Sequence, residues 1–296
     1  MTTVDVMFPY YGDVDLMKAA VNSVLSQQNP NWRLVIIDDG FPDPEPERWL
    51  TEIASRDSRV TYQRNEKNLG ANGNYRKALG LVETEFFVMM GADDIMQPNY
   101  LDVILRNFAA FPRADVVQPG VQTINENSVA CTTLPDRVKK AYAPKATGVT
   151  TLSGERMATS LLKADWAYFP SLAWRTETVK RLGFREGYDV VQDLALLLDI
   201  AAENGTMVID PELAFLYRRH MGSDSMVKAL NGYRFNEERR FFQWQTKRFS
   251  ELGWKSSARA ARNRFTSRLN ALSLMAQSVA KGKFSSLGTL GKHVVS

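Results

Sequence analysis

The sequence is poor in the residues that build covalent or metal-centred scaffolds. Its single cysteine, Cys131, excludes an internal disulfide and any multi-cysteine zinc site, and two histidines, His220 and His293, leave little room for a His-rich metal centre. No run approaches the roughly 20 apolar residues that a membrane-spanning helix needs. The N-terminus lacks a basic region followed by a long apolar core, so no signal peptide is expected, and a reducing cytoplasmic location is the default. Neither a Walker A loop nor a G-x-G-x-x-G turn is present, so neither NTPase nor dinucleotide chemistry is indicated. Low-complexity tracts and short-period repeats are also missing from the 296 residues, which have the composition of an ordinary globular protein.

Charge is present but unevenly placed. From Lys228 onward there are 14 Lys and Arg against 3 Asp and Glu, so the net charge of +4 combines a basic tail with an acidic body of −7. Such a tail calls for an anionic partner, either a membrane surface or nucleic acid.

The first hundred residues alternate apolar runs with helical spacing. Strands are predicted at Val4–Phe8, Trp32–Ile37, Val60–Arg64 and Phe86–Met90, with helices over 15–28, 47–56, 74–82 and 100–111. That order predicts an α/β domain with a mainly parallel, doubly wound sheet. Phe86-Phe87-Val88-Met89-Met90 does not alternate, as expected of a strand buried on both faces. At its C-terminal end, where open α/β sheets bind ligands, stand Asp93 and Asp94. Adjacent carboxylates suit a hard divalent ion shared with phosphate oxygens, or else a solvated turn or helix N-cap. The loops after the first two strands bring Tyr11 and Asp38-Asp39-Gly40 to the same edge, although Asp-Gly after a strand also reads as a plain turn. The stretch from Asn68 to Gly73 is a candidate phosphate cradle through its backbone N–H groups.

Taken together, Pro9-Tyr10-Tyr11, Ser23-Val24-Leu25-Ser26-Gln27, Val35-Ile36-Ile37-Asp38-Asp39-Gly40, Asn68-Leu69-Gly70 and Ala92-Asp93-Asp94 resemble glycosyltransferase family 2. The resemblance covers about residues 4–225. It implies a GT-A (Rossmann-like) fold with a mixed, mainly parallel sheet, and transfer of a sugar from a nucleotide diphosphate sugar with inversion. UDP is the commonest donor nucleotide of that family, with GDP and dTDP as alternatives. Pro9 and Tyr11 would flank the nucleobase and Asp39 would accept a hydrogen bond from it. Asp93 would lie by the ribose or the metal, and Asp94 would ligate a Mn²⁺ or Mg²⁺ ion that holds the diphosphate. Asn68 and Gly70 fall within the matched pattern near the nucleotide. Two departures stand out. Gly91 occupies a place where the family often has another Asp, and Tyr75-Arg76 replaces an Arg-Asn pair, leaving Arg76 as the phosphate contact.

Further along, Gly187 to Leu198 ends in an apolar run that opens a helix with Asp193 in its first turn. A first-turn carboxylate is favoured by the helix dipole alone. The resemblance instead makes Asp193 the general base that takes the acceptor's proton, with Gln192 standing where the family has Glu and Asp189 as the rival base. Inversion requires attack from the face opposite the leaving diphosphate, which sets Asp193 across the pocket from Asp93 and Asp94. Tyr217-Arg218-Arg219-His220 resembles the family's Tyr-Arg-x-His segment. Arg219 and His220 would grip the diphosphate, and His220 is also a candidate metal ligand. Trp166, Tyr168, Trp174 and Gln192 are acceptor-side candidates, though clustered aromatics more often pack a core.

Three segments are expected: a nucleotide-sugar half at 1–98, an acceptor and catalytic half at 99–227 holding an acceptor-side loop or helix pair, and basic amphipathic helices at 228–296. Aromatics interleaved with bases in the last segment suit an interfacial helix on an anionic membrane, or a hairpin packed on the catalytic domain with a solvated basic face. No Gln-x-x-Arg-Trp element of processive polymerases is present, which favours transfer of one sugar to a glycan or lipid-linked glycan. The competing readings are a catalytically silent nucleotide-sugar sensor and, through the basic tail, nucleic-acid binding.

Overall fold

Three largely apolar strands and a more polar edge strand form the parallel half of one sheet: β1 (Val4–Tyr10), β2 (Trp32–Asp38) and β4 (Phe86–Met89), with β3 (Val60–Arg64) at the edge. The computed structural model describes residues 2–145, 147–219, 233–264 and 266–268. Successive side chains enter opposite cores, as the strand period of two requires. Val6, Phe8, Leu34, Ile36, Phe86 and Val88 pack on one side with α1 (Val14–Leu25), α2 (Glu45–Arg56) and α4 (Tyr100–Ala110). Met7, Val35, Ile37, Phe87 and Met89 pack on the other with α3 (Gly70–Gly80) and, from later in the chain, α6 (Gly154–Ala164), α7 (Thr176–Leu182) and α8 (Gln192–Ala202). Burial on both faces explains why these strands read as unbroken apolar runs.

The sheet order is β3-β2-β1-β4-β8-β6-β9-β5, with β7 (Thr150–Ser153) on β9. Pairing turns antiparallel where β8 (Ala173–Arg175) joins β4 and again between β8 and β6 (Ala114–Ile124). The last long strand, β9 (Thr206–Arg218), runs parallel to β6 and past its own Asp210-Pro211 step, with register shifts on either side of Gly120. A Cβ at Gly120 would sit 2.5 Å from the Pro211 carbonyl oxygen, so only glycine admits that close approach. The far end of β9 pairs with β5 (Ile95–Met96), Leu216 opposite Ile95. This pairing delivers Tyr217, Arg218 and Arg219 to the turn that carries Asp93 and Asp94.

Several elements differ from the sequence expectation. Helix α3 begins at Gly70 rather than Asn74, and β9 runs through Asp210-Pro211 as far as Arg218. The stretch thought to hold an acceptor-side loop or helix pair contains two helices, α5 (Leu134–Tyr142) and α6, separated by β7. The C-terminal region forms helices Tyr233–Glu251 and Lys255–Asn263, interrupted at Gly253 with φ +75°. Phe241, Phe242 and Phe249 are buried in the core shared with α8, and Trp254 stacks on Phe249 at 5.5 Å. These aromatics take the packing alternative, leaving Arg240, Lys247, Lys255, Arg259 and Arg262 exposed. The side chains of Phe235 and Phe265 lie outside the described residues.

Candidate active site

The loops after β1 and β2 build one end of the site. Tyr11 is 55% exposed and meets Phe41 edge-on at 5.3 Å, a solvent-facing aromatic pair above the buried Asp39. Pro9 lies at the end of β1, one residue before the buried Tyr10. Oδ1 of Asp39 accepts hydrogen bonds from Asn65 Nδ2 at 2.7 Å and from the Leu69 N–H at 2.8 Å. Asn65 is itself held by Asn74 Oδ1 at 3.1 Å and by Lys77 Nζ, which donates to its Oδ1 at 2.6 Å. The carboxylate is thereby fixed in direction, while Oδ2 has no hydrogen-bond partner among the described residues. Asn65, Asn74 and Lys77 did not stand out in the sequence.

The expected phosphate cradle is not formed by its leading N–H groups. That of Leu69 goes to Asp39, and that of Gly70 goes to Asn68 Oδ1 at 2.9 Å. Both are used to start α3, whose first turn would otherwise leave donors unpaired. Arg76 is exposed on α3.

The acidic turn after β4 has an unusual interior. Asp94 is 1% exposed; its Oδ1 accepts the Arg218 N–H at 2.8 Å and its Oδ2 is buried without a partner. Burial and the adjacent Asp93 charge raise its carboxyl well above the ordinary range. A Cβ at position 91 would lie 2.5 Å from that unpartnered Oδ2 and 3.1 Å from Asp93 Oδ1. Gly91 therefore leaves the Asp94 carboxylate the space that a further side chain would take. Arg218, 2% exposed, ties the turn in place: Nε donates to the Asp93 carbonyl at 2.7 Å, and Nη1 to the carbonyls of Asn125 and Glu126 at 2.8 and 3.1 Å. No cluster of three acidic, histidine or cysteine side chains suited to a metal occurs among the described residues. The Asp93–Asp94 pair nevertheless fits a partly hydrated hard cation, because it offers oxygen ligands only and one buried oxygen awaiting a partner. His220 lies outside the described residues.

Asp193 stands in the first turn of α8, its Oδ1 accepting the Leu194 N–H at 2.8 Å. Burial first, and then the charge of Asp165, push its pKa up to about 7, against the pull of Leu194 and Lys139. Asp165 closes α6 in the left-handed conformation at φ +42° and buries an unpartnered Oδ1. The phenol of Tyr217 senses both sides of the cleft. Burial raises its pKa, Arg219 opposes, and Asp94, Asp93 and Asp193 each add to the rise. The charges of the acidic turn and of the candidate base therefore both bear on one buried tyrosine.

Around it, Tyr168 packs against Tyr217 at 5.1 Å, Lys139 lies 4.9 Å from the Tyr168 ring centre, and Arg219 lies 4.7 Å from that of Tyr217. Arg219 Nη2 donates to Asp136 Oδ1 at 2.6 Å, and the Tyr168 hydroxyl donates to the same oxygen at 3.3 Å. Burial disfavours the Asp136 charge, but the Thr133 hydroxyl and Arg219 outweigh it and hold the carboxyl below its ordinary value. Arg219 thus meets an internal acid before any ligand. Trp166 and Trp174 are corrections: both are buried to 1% or less, and Trp166 Nε1 donates to Ser160 Oγ at 3.1 Å, so neither ring is open for sugar stacking. Tyr168 remains at the site, and Gln192 is buried beside Asp193 with an unpartnered Oε1.

The loop before α8 is held from outside the α/β body. Glu237, fully buried on helix Tyr233–Glu251, accepts the N–H groups of Asp189, Val190 and Val191 at 2.8, 2.6 and 3.0 Å. From the opposite side, Asn72 Nδ2 donates to the Tyr188 carbonyl at 3.1 Å and to the Asp189 carboxylate. Asp189, the rival base, is engaged in this latch.

Comparison with known proteins places the geometry in context. A family model described as "Glycosyl transferase family 2" matches residues 5–156, about half of the chain. A glucosyltransferase of Escherichia coli, "UDP-Glc:alpha-D-GlcNAc-diphosphoundecaprenol beta-1,3-glucosyltransferase WfgD", is 28% identical over 43% of this chain and 48% of its own length. The "Putative colanic acid biosynthesis glycosyl transferase WcaA" of Escherichia coli (strain K12) is 32% identical over 34% of this chain and 36% of its own. The chain thus spans less than half the length of either relative. Among solved structures, S. aureus TarS 1-349 in complex with UDP-GlcNAc superposes with a TM-score of 0.70, covering 98% of this chain and 80% of that one at 16% identity. At that identity the likeness is one of fold.

Proposed function

Because the chain belongs to glycosyltransferase family 2, we propose that it transfers one sugar from a nucleotide diphosphate sugar to a hydroxyl of a glycan or lipid-linked glycan, with inversion. A UDP-sugar is the favoured donor, supported by the UDP-glucose named for the Escherichia coli relative and the UDP-GlcNAc bound to the structural neighbour. The observation that carries the reading is the buried Asp94, whose Oδ2 lacks a partner, together with Asp193 in the first turn of α8, the charges of both bearing on Tyr217.

The donor's base stacks beside Tyr11 and Pro9 and hydrogen-bonds to Asp39, whose carboxylate is pre-aimed by Asn65 and Leu69. The acceptor hydroxyl meets Asp193, which removes its proton as the oxygen attacks the anomeric carbon. The bond from that carbon to the diphosphate oxygen breaks on the opposite face, and its electron pair leaves with the diphosphate. A base with a pKa near 7 suits this transfer, because it is largely ionised at working pH yet basic enough to accept the proton. Bound Mn²⁺ or Mg²⁺, held by Asp93 and Asp94, would neutralise charge on the departing diphosphate. Lys139, Tyr168 and Arg219 shape the acceptor side. The exposed bases of the C-terminal helices suit an anionic membrane surface, where a lipid-linked acceptor would be met.

Asp193→Asn tests the assignment. Transfer is expected to fall at least 10²-fold while UDP binding, measured by calorimetry, stays within twofold. Asp94→Ala is expected to weaken divalent-dependent UDP binding instead. Wild-type transfer by Asp193→Asn ends the proposal.

A further inference from the structure

Three arginines lie where the chain beyond helix Lys255–Asn263 comes back to the first turns of helix Tyr233–Glu251, a junction marked by the hydrogen bond from Ser267 to Glu238. Arg264 follows helix Lys255–Asn263 in the left-handed conformation at φ +44°, with its N–H donating to the Ala260 carbonyl at 3.1 Å. Its side chain turns inward: the residue is 3% exposed and Nη1 is buried without a partner. One turn on, Arg268 donates its N–H to the Arg264 carbonyl at 2.9 Å and buries Nε, also without a partner. Arg239 follows Glu238, the acceptor of the Ser267 hydroxyl, on helix Tyr233–Glu251, and its Nη2 donates to Asn236 Oδ1 at 3.3 Å. Burial, and after it the charges of Arg268 and Arg239, pull the Arg264 pKa below its ordinary value, with Glu238 opposing. Glu238 also accepts the Ser267 hydroxyl.

A guanidinium does not shed its proton in a protein, so the repulsion cannot be relieved by neutralisation. Among the described residues, Glu238 is the one acid that offsets the charge around Arg264, and two buried N–H donors lack acceptors, each a destabilising feature alone. The missing component is a compact anion with several acceptor oxygens. A phosphate group has three or four, disposed for the forked donors of separate arginines.

We propose that Arg239, Arg264 and Arg268 form a phosphate-binding site, built on elements other than those of the sugar-transfer cleft. Its occupant is a phosphate group, either free in solution or the phosphomonoester headgroup of a lipid. Occupancy ties the chain just beyond helix Lys255–Asn263, which is held to α6 through Glu155, to the first turns of the helix that holds the Asp189–Val191 loop through Glu237.

The test is a thermal-shift titration of the full chain with inorganic phosphate against chloride at matched ionic strength, with UDP saturating throughout. Phosphate is expected to raise the Tm saturably, by roughly 5 °C at a hundred times its Kd. Arg264→Met and Arg268→Met are expected to lose that rise while keeping the UDP-induced shift. The UDP shift reports on the cleft and the phosphate shift on the arginines, so the two readings fail separately. Replacing an unpaired buried charge by an apolar side chain is often neutral or stabilising, so Arg264→Met should fold. Should it not, the half-buried Arg239→Gln serves in its place. Sedimentation with phosphatidic acid vesicles against phosphatidylcholine separates the sources. Arg264-dependent sedimentation identifies a lipid headgroup, and a phosphate shift without it identifies free phosphate. A phosphate effect no larger than that of chloride, or one undiminished in Arg264→Met, overturns the proposal.

Discussion

Glu237→Ala is the substitution through which the C-terminal helices should reveal a part in catalysis. The carboxylate accepts three consecutive backbone N–H groups immediately before α8, at 2.6–3.0 Å. Hydrogen bonds to a charged group contribute about 1.5–3 kcal/mol each. Truncation does not expose all three donors equally. Asp189 is exposed and Val190 half-buried, so water can replace the carboxylate there, whereas the Val191 N–H stays buried. Counting one full desolvation penalty and two partial losses, the variant should be about 3–5 kcal/mol less stable. For a chain of this size that lowers the Tm by roughly 6–10 °C. Asp193 lies two residues beyond the latch, and a base displaced by about 1 Å can cost 10²-fold in rate. The kcat should therefore fall well beyond the loss of folded protein at the assay temperature, while the Kd for UDP, bound at the other end of the cleft, changes little. Scanning calorimetry, steady-state kinetics and UDP titration measure the three quantities. An unchanged kcat in a variant whose Tm has dropped would refute the positioning argument. No change in either quantity would refute the hydrogen bonds themselves.

Other perturbations address the remaining parts of the cleft. The rate of transfer should rise with pH to a plateau with an inflection near 7, because Asp193, as the proposed base, would act only when ionised. Since its pKa is raised above the unfolded value, the same group destabilises the fold increasingly from about pH 4 to 7, and Asp193→Asn should flatten that part of the Tm profile. Asp165→Asn removes the second contributor to the rise, so the kinetic inflection should move to lower pH with little change in donor KM. Gly91→Ala sets a Cβ 2.5 Å from Asp94 Oδ2; it should lower stability by about 1–3 kcal/mol and weaken Mn²⁺-dependent UDP binding, read by calorimetry with and without the ion. Arg218→Lys loses the fork that joins the Asp93, Asn125 and Glu126 carbonyls, and should lower both the Tm and UDP affinity.

What could be read from the sequence follows from how locally each feature is encoded. Strands β1, β2 and β4 were legible because a parallel strand buried on both faces leaves a nearly unbroken apolar run, and the edge strand β3 by its β-branched and aromatic start at Val60-Thr61-Tyr62. The places of Asp39, Asp93, Asp94 and Asp193 in the fold were legible because each stands next to a strand or helix end within a recognisable pattern; their roles rest on the proposal. The short strands β7 and β8 were not, since three or four residues carry too little periodicity to register. Asp136, Lys139 and Asp165 gain their meaning only from tertiary neighbours such as Arg219 and Asp193, dozens of residues away. Trp166 and Trp174 show the opposite limit: an aromatic cluster is visible, but whether it faces core or ligand is settled by the packing around it.

The latch also bears on why a basic helical segment should accompany an α/β body at all. The residues before α8 are fixed on one side by Asn72 of α3, beside the nucleotide end, and on the other by Glu237. The second of these anchors, Glu237, lies beyond the family match, which ends at residue 156. A loop that exposes Asp189 and leads directly into a buried helix would otherwise hold the base by one side only. Helix Tyr233–Glu251 resolves this by burying Phe241 and Phe249 against the same core as α8, and by pairing Arg248 Nη1 with Asp199 on α8 at 2.6 Å. Its apolar face and its acid act together: the packing brings Glu237 to the loop, and Glu237 in turn satisfies donors that the packing buries. The orientation of the proposed base therefore depends on sequence well outside the nucleotide-binding half, and variation in these helices can tune transfer without touching donor recognition.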